Sequence, residues 1–211
     1  MFYVVLAVSA VAAYFIGSIS FAIIVTRKKL GKDIRDFGSG NAGGTNTMRV
    51  LGKKYGVLVM FLDMLKAFIS VSLARLLFFA FGFGTVGDLW LALVGMTAVI
   101  GHLFPVYYGF RGGKGIAATA GVVLAISPLT MIILFAIWCL IVALTRYVSL
   151  GSIVCGLLVP PGYYLIDQLL LGRQNEYLLW TLLAFGVMTA MIVLSHWQNI
   201  KRLVKGKENK I

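Results

Sequence analysis

Between Lys114 and Arg146 the chain reads GIAATAGVVLAISPLTMIILFAIWCLIVALT (Gly115–Thr145), without one charged side chain. A run of about 20 apolar residues is enough to cross the hydrocarbon of a bilayer. This run is longer, and two readings of it stand. It is one long tilted helix, or two shorter helices turning at Ser127-Pro128, because the residue before a proline is pushed out of helical geometry. In the second reading the Gly115–Ile126 arm is too short to cross a full-thickness bilayer alone.

Similar runs flank it: Met1–Thr26, Tyr55–Phe81 (interrupted by Asp63, Lys66 and Arg75), Leu89–Leu103, Tyr147–Ile166 and Tyr177–Ser195. The composition agrees, with 60% hydrophobic and only 12% charged residues in 211, where soluble domains carry roughly 25% charged. A chain of this size has too much surface to hide that many apolar side chains from water. It reads as an all-α, polytopic integral membrane protein, one membrane domain over 1–211. A net charge of +12 first suggests nucleic acid. The basic residues instead occupy short connectors between apolar runs, as the positive-inside rule places them, so no nucleic-acid partner is expected. No Lys or Arg precedes Arg27, so the first run reads as a retained anchor and not as a signal peptide. Cys139 and Cys155 both lie inside apolar runs and read as small apolar thiols.

The charges orient the spans. Arg27–Lys54 and Lys201–Lys210 are strongly basic and are expected in the cytoplasm, which puts the N-terminus outside and the C-terminus inside. If Gly115–Thr145 is a helix pair, seven membrane segments result. All but Lys66, Arg75 and Arg173 of the 19 Lys and Arg then fall on the cytoplasmic side. The cytoplasmic parts are loops at about 27–54, 104–114 and 146–150 and the tail 197–211. A single long helix would put Arg111 and Arg146 on opposite sides.

Each cytoplasmic part brings groups that suit a phosphate. The first contains Gly38-Ser39-Gly40-Asn41-Ala42-Gly43-Gly44-Thr45-Asn46 with Arg49 close behind. Glycines let successive amides converge on an anion, Ser, Asn and Thr add donors, and arginine adds a two-pronged clamp. This is not a nucleotide-binding P-loop, since no Gly-Lys-[Ser/Thr] follows. In the second, Gly112-Gly113-Lys114-Gly115 sets a lysine among glycines at the mouth of an apolar helix, where free amides and helix dipole favour anions. Nearby His102 reads either as a structural hydrogen bond or as a substrate contact. In the third, Arg146 lies one turn before Ser149, and Ser149 and Ser152 share a helix face. In the tail, His196 and Asn199 share a face that Arg202 extends. Asp63 and Lys66, three apart within a span, are expected to pair or to face the bundle interior. The convergence points to a membrane-embedded enzyme with a phosphorylated substrate from the cytosol and an apolar co-substrate from the lipid. A transporter of phosphate or an organophosphate is the alternative, but it would call for mid-bilayer polar groups and an internal repeat; no repeat is visible, and the polar groups cluster at one membrane face.

Gly17-Ser18-Ile19, the loop from Gly38 to Arg49, Gly101-His102…Phe104-Pro105…Gly112-Gly113-Lys114-Gly115, Arg146-Tyr147-Val148-Ser149-Leu150 and His196…Asn199-Ile200…Arg202-Leu203 together resemble the motifs of the bacterial acyl-phosphate:glycerol-3-phosphate acyltransferases. The resemblance runs from about Tyr14 to Leu203. It implies seven helices with the N-terminus outside and a plasma-membrane location. It also implies transfer of an acyl group from acyl phosphate to the 1-hydroxyl of glycerol 3-phosphate, giving lysophosphatidate and phosphate. Its functional positions fall on Ser39, Arg49, Lys114, Ser149, His196 and Asn199. Gly44 stands where alanine is usual, and Arg111 where lysine is common.

The chemistry fits the side chains. Acyl phosphate carries a good leaving group, so placement of a hydroxyl and neutralisation of two phosphates supply most of the catalysis. The remaining substrate-binding candidates are Gly38, Gly40, Asn41, Gly43, Thr45, Asn46, Gly112, Gly113, Gly115 and Arg146. No metal and no cofactor are expected, and the protein is expected to act as a monomer. His196 serves as general base or only orients the substrate; the sequence leaves both open. The His-x-x-x-x-Asp pattern of another acyltransferase class is absent, since Tyr107 and Lys201 stand where the Asp would be.

Overall fold

A computed structural model describes Met1–Ile211. The chain is all-α, with α1 (Phe2–Gly17), α2 (Phe21–Leu30), α3 (Gly44–Leu51), α4 (Lys53–Ala80), α5 (Asp88–Leu103), α6 (Ile116–Ile126), α7 (Pro128–Thr145), α8 (Val148–Tyr163), α9 (Leu178–Ser195) and α10 (Trp197–Val204). Six helical stretches are long and apolar enough to cross a membrane, and α6 is a shorter apolar helix. The bundle is apolar outside as well as inside. Val4, Val8, Phe79, Ile132, Leu140 and Leu194 all face outward, which suits lipid and not water.

The charge-free run does break at Pro128. Ser127 leaves helical geometry (φ −137°, ψ 83°), and Pro128 opens α7 at its first turn, where its missing N–H is no loss. The break leaves α6 only 11 residues, about 16 Å long. Its terminal carbonyls would be orphans in apolar surroundings, where each costs several kcal/mol. Two arginines answer them: Arg75 of α4 donates to Ala125 (2.7 Å) and Arg173 donates to Ile126 (3.3 Å). Arg173 also pairs with buried Asp167, whose carboxylate accepts from Ser127 and, at 2.8 Å, from Thr130. Asp167 lies in a π-helical stretch, Tyr164–Leu170, just after Pro160 and Pro161. Two prolines in succession withhold amides from the α-ladder, and the Gly156 carbonyl that Pro160 cannot serve accepts from Thr189 Oγ1 instead (2.8 Å).

The first apolar run differs from expectation. Met1–Thr26 reads as one uninterrupted span, but the helix stops at Gly17 and restarts at Phe21, continuing through the basic residues to Leu30. The break lies beside a tight helix crossing. A Cβ on Gly17 would run into the Ala98 carbonyl, and one on Gly101 into that of Tyr14, so α1 and α5 cross backbone to backbone. The break frees the carbonyl of Ile19, and Lys66 donates to it. The cytoplasmic parts are also more helical than loops: 27–54 holds the end of α2, a 3-10 turn at Ile34–Asp36 and α3; 104–114 holds a second turn at Val106–Tyr108; and the tail holds α10.

Asp63 and Lys66 do pair, at 2.8 Å and almost wholly buried. His102 of α5 joins them, its Nδ1 lying 3.5 Å from the same carboxylate oxygen. Removing one partner of such a pair costs about 3–5 kcal/mol, whereas replacing both with apolar groups is often nearly neutral. We therefore expect Lys66→Met to lower unfolding stability in detergent by about 3–5 kcal/mol, and Asp63→Leu/Lys66→Met to recover only part of it, since the Ile19 carbonyl and the His102 ring still lack their partners. Thermal unfolding of the two variants checks this.

Candidate active site

Seven of the helices contribute to one cleft of about 430 Å³. Four do so by their N-termini. Gly43 to Asn46 begin α3, Gly115 to Ala117 begin α6, Val148 and Ser149 begin α8, and His196 and Asn199 flank the start of α10. None of the four has a side-chain cap. The first amides of each helix therefore lack intrahelical partners, and their positive dipole ends gather on one volume. Arg49 and Lys114 add two full charges to the lining. A site so built attracts anions.

Lys114 is the hub. Its ammonium donates to the side-chain oxygen of Asn199. The Asn199 amide nitrogen donates in turn to Glu208 (2.7 Å), which also accepts from Ser149 Oγ (3.1 Å) and Arg202 Nε (2.8 Å). Burial pulls the Lys114 ammonium down to about 8, with Arg202 and Arg49 adding to the effect and Glu208 opposing it. Burial alone would raise the Glu208 carboxyl, but the donors Arg202, Asn199 and Ser149 hold it below its usual range. His196 is buried, and its Nδ1 lies 2.8 Å from the Ile192 carbonyl. A carbonyl can only accept, so Nδ1 carries the proton and Nε2 keeps its lone pair. Desolvation, against that hydrogen bond, lowers the ring to about 4, so it is neutral at pH 7.

The tail is fastened over the cleft. Arg146 Nε donates to the carbonyl oxygen of Ile211 (2.9 Å), the Ile211 amide donates back to the Arg146 carbonyl (3.1 Å), and Lys210 sits over the Tyr147 ring. Arg49 donates to the Asn209 carbonyl at 3.5 Å.

Of the residues expected from sequence, Ser39, Asn41, Gly43, Thr45, Asn46, Arg49, Lys114, Gly115, Ser149, His196 and Asn199 line the cleft. Asp63 and His102 line it as well. Others are put to different use. Arg146 points away, engaged with the C-terminal residue. Gly112 and Gly113 were expected to offer amides to an anion, but these donate to the carbonyls of Leu103 and His102, left free at the end of α5. Their lack of side chains still matters: a Cβ would meet the His102 carbonyl at Gly112 and His102 Nε2 at Gly113. Asn46 lines the cleft, but its side chain is spent inside the loop. Its amide nitrogen donates to the carbonyls of Phe37 (2.9 Å), Asn41 (3.1 Å) and Ile34 (3.3 Å), and its oxygen accepts from the Ser39 amide (3.0 Å). Gly38, with φ +58°, leaves room for that oxygen. Gly38 and Gly40 shape the loop without lining the cleft; Gly40 and Gly112 border a separate pocket of about 580 Å³ with Arg35 and Arg111. Gly44 has a reason: a Cβ there would strike Met60 and the Gly56 carbonyl, where α3 crosses α4.

Sequence reading missed Glu208. The one signal was a lone acid among Lys205, Lys207 and Lys210.

Away from its polar mouth the cleft becomes apolar, lined by Val57, Met60, Phe61, Leu134, Phe135 and Trp138. The fold and the cleft together define a polytopic membrane protein with a cationic anion site that runs into a lipid-facing slot. The chain belongs to the glycerol-3-phosphate acyltransferase family, whose model matches residues 7–206. It is 42% identical to the glycerol-3-phosphate acyltransferase of Chlorobaculum parvum, covering 94% of this chain and 93% of that one. It is 42% identical to that of Aquifex aeolicus, with 94% and 95% covered. Its fold is similar to the crystal structure of PlsY (YgiH), an integral membrane glycerol 3-phosphate acyltransferase. The TM-score is 0.82 with the glycerol 3-phosphate form, at 38% identity over 98% of this chain and 95% of that one. With the lysophosphatidic acid form it is 0.79, at 37% identity and the same coverage.

Lys114 should therefore react with an amine reagent with a midpoint near pH 8, well below an exposed lysine at roughly 10.4. Glu208→Gln removes the charge that favours the ammonium and should move the midpoint lower still. Mass-spectrometric labelling across pH measures both; a Lys114 midpoint like that of the exposed lysines would refute the geometry described.

Proposed function

We propose that this chain transfers an acyl group from acyl phosphate to the 1-hydroxyl of glycerol 3-phosphate, releasing lysophosphatidate and inorganic phosphate. The observation that carries the reading is the meeting of four uncapped helix N-termini with Lys114 and Arg49 at the mouth of an apolar slot. Two phosphates need positive charge, and an acyl tail needs apolar walls; one cleft offers both.

Lys114 and Arg49 hold phosphate, aided by Ser39 and by amides at the starts of α3 and α6. Asn199, fixed by Glu208, sets the Lys114 ammonium in place, and Ser149 shares that carboxylate. His196 offers a neutral Nε2 to the substrate hydroxyl. A ring titrating at about 4 is a weak base, so its task is to orient the hydroxyl oxygen toward the carbonyl carbon. The new C–O bond forms as the carbonyl–phosphate bond breaks, and the hydroxyl proton leaves on the departing phosphate. The Lys114 and Arg49 charges stabilise that leaving group. Because cations already serve the phosphates, we expect no metal and no cofactor in the reaction.

We also read seven membrane segments, with short α6 as one of them, the N-terminus outside and the cleft facing the cytoplasm. The basic connectors Arg27–Lys54 and Lys201–Lys210 support this orientation. One membrane domain spans 1–211 and acts as a monomer.

Lys114→Ala and Arg49→Ala each remove a charge-assisted contact of about 1.5–3 kcal/mol. Initial rates should show kcat/KM for glycerol 3-phosphate down about 10–100-fold, with Arg49→Lys recovering little because an ammonium lacks the planar fork. Near-wild-type values in both alanine variants would defeat the phosphate-site assignment. In the unmodified enzyme kcat/KM should fall as pH rises through about 8, where Lys114 loses its proton, and Lys114→Arg should remove that limb. Acyl-CoA and acyl carrier protein should be far slower donors than acyl phosphate in the same preparation, and EDTA should leave the rate unchanged.

A further inference from the structure

The groups that face phosphate are not the only polar ones in the cleft. A second set comes from α4, α5 and α6, which pack on one another: Asp63, His102 and Thr119. The Thr119 hydroxyl has no partner, although the residue is only 1% exposed. A threonine within a helix commonly bonds the carbonyl four residues back, as Thr47, Thr145 and Thr181 do here. Ser9 and Thr26 are unpartnered too, but neither lines the cleft. A buried hydroxyl left unpaired is costly, and this one borders a space that a ligand enters.

We infer that His102 and Thr119 hold the C2 hydroxyl of glycerol 3-phosphate, and so select both the acceptor and which of its hydroxyls is acylated. The inference rests on the acyl-transfer reading above. The His102 ring turns Nδ1 toward Asp63 (3.5 Å), and its Nε2 lies against Gly113, one residue before Lys114. Ser195, next to His196, donates to the Lys114 carbonyl (2.9 Å). The groups for phosphate, for the C1 hydroxyl and for the C2 hydroxyl are thus gathered around one short segment. From the C1 oxygen to phosphorus the substrate spans about five bonds, or roughly 6 Å. Thr119 stands four residues along α6 from Gly115, about 6 Å of helix. A phosphate at the start of α6 therefore brings the glycerol carbons alongside it.

The character of these three residues decides which part of the substrates belongs beside them. Asp63 lines the cleft, and its counter-ion Lys66 does not. A phosphate or a developing oxyanion would meet that carboxylate first and be repelled. An acyl tail would leave the Thr119 hydroxyl unpaired. A neutral secondary hydroxyl has neither fault: it donates to His102 Nε2 and accepts from Thr119 Oγ1. Asp63 is the positioning residue, since a carboxylate facing Nδ1 keeps the proton there and the lone pair on Nε2. A site built to bond a hydroxyl rejects the analogue that lacks it, because its own buried groups are then left unpaired. Holding C2 also fixes the rest of the molecule, so that the C1 hydroxyl is the one that reaches His196.

The test compares two acceptors at saturating acyl phosphate: glycerol 3-phosphate, and 3-hydroxypropyl phosphate, which keeps the phosphate and the primary hydroxyl but has none on C2. In the unmodified enzyme kcat/KM should be at least about tenfold lower for the analogue. Thr119→Val keeps the side-chain shape and removes the hydroxyl. His102→Asn keeps a donor toward Asp63 and removes Nε2. Each should lower kcat/KM for glycerol 3-phosphate about tenfold while leaving that for the analogue within about twofold, so the preference collapses. A merely structural loss would lower both acceptors alike and keep the preference. A preference kept in a folded variant removes that residue from the assignment, and if His102→Asn does not fold, Thr119→Val decides alone. Equal use of the two acceptors by the unmodified enzyme overturns the whole inference while leaving acyl transfer intact. Absence of turnover with either acceptor in the unmodified enzyme instead overturns the reading beneath it.

Discussion

The buried carboxylate of Asp63 is the interaction on which the cleft depends. Deep between α4 and α5 it holds Lys66 and His102 together. Lys66 reaches from there to the free Ile19 carbonyl and so joins the broken first span to α4. The His102 carbonyl takes the Gly113 amide, and its ring lies where a Gly113 side chain would be, so the loop carrying Lys114 is moulded on α5. An ion pair in apolar surroundings is expensive to form and more expensive to break. Its geometry is therefore tightly specified, and a loop built against it inherits that precision.

The second constraint is the shortness of α6. A half-length helix places its N-terminus, with Lys114 before it, at the polar mouth while its C-terminal carbonyls end inside the bundle. Arg75 and Arg173 make that ending tolerable, and Asp167 balances the charge of Arg173. The polar groups at the two ends of α6 thus have opposite tasks. Those at the start are left without caps and face a cleft, and those at the end are satisfied internally.

Much of this was legible in the chain, and the failures have physical causes. Apolar runs, a proline in the longest of them and an acid three residues before a lysine are local signals, and α6, α7 and the Asp63–Lys66 pair follow from them. The break at Ser18–Ser20 has no proline or charge to mark it; it lies where α1 and α5 touch through glycines on separate helices. Gly112 and Gly113 have the composition of an anion nest, yet carbonyls at the end of α5 claim their amides, a competition only the fold sets up. Asn46 likewise looks like a ligand and is a tie within its loop. Glu208 was invisible because its partner Ser149 comes from another part of the chain, and Asn199, nine residues back, meets it only in the folded tail.

What unites the parts is a single chemical claim, that a hydroxyl held at the cationic mouth attacks the carbonyl carbon of an acyl phosphate whose tail lies in the slot. The most direct test follows the bridging oxygen. Acyl phosphate carrying oxygen-18 between carbonyl and phosphorus would be turned over by the purified protein with glycerol 3-phosphate, and both products analysed by mass spectrometry. Attack at carbon predicts unlabelled lysophosphatidate and one labelled oxygen in every inorganic phosphate released. Label retained in free fatty acid, or phosphate release without lysophosphatidate, would contradict the account.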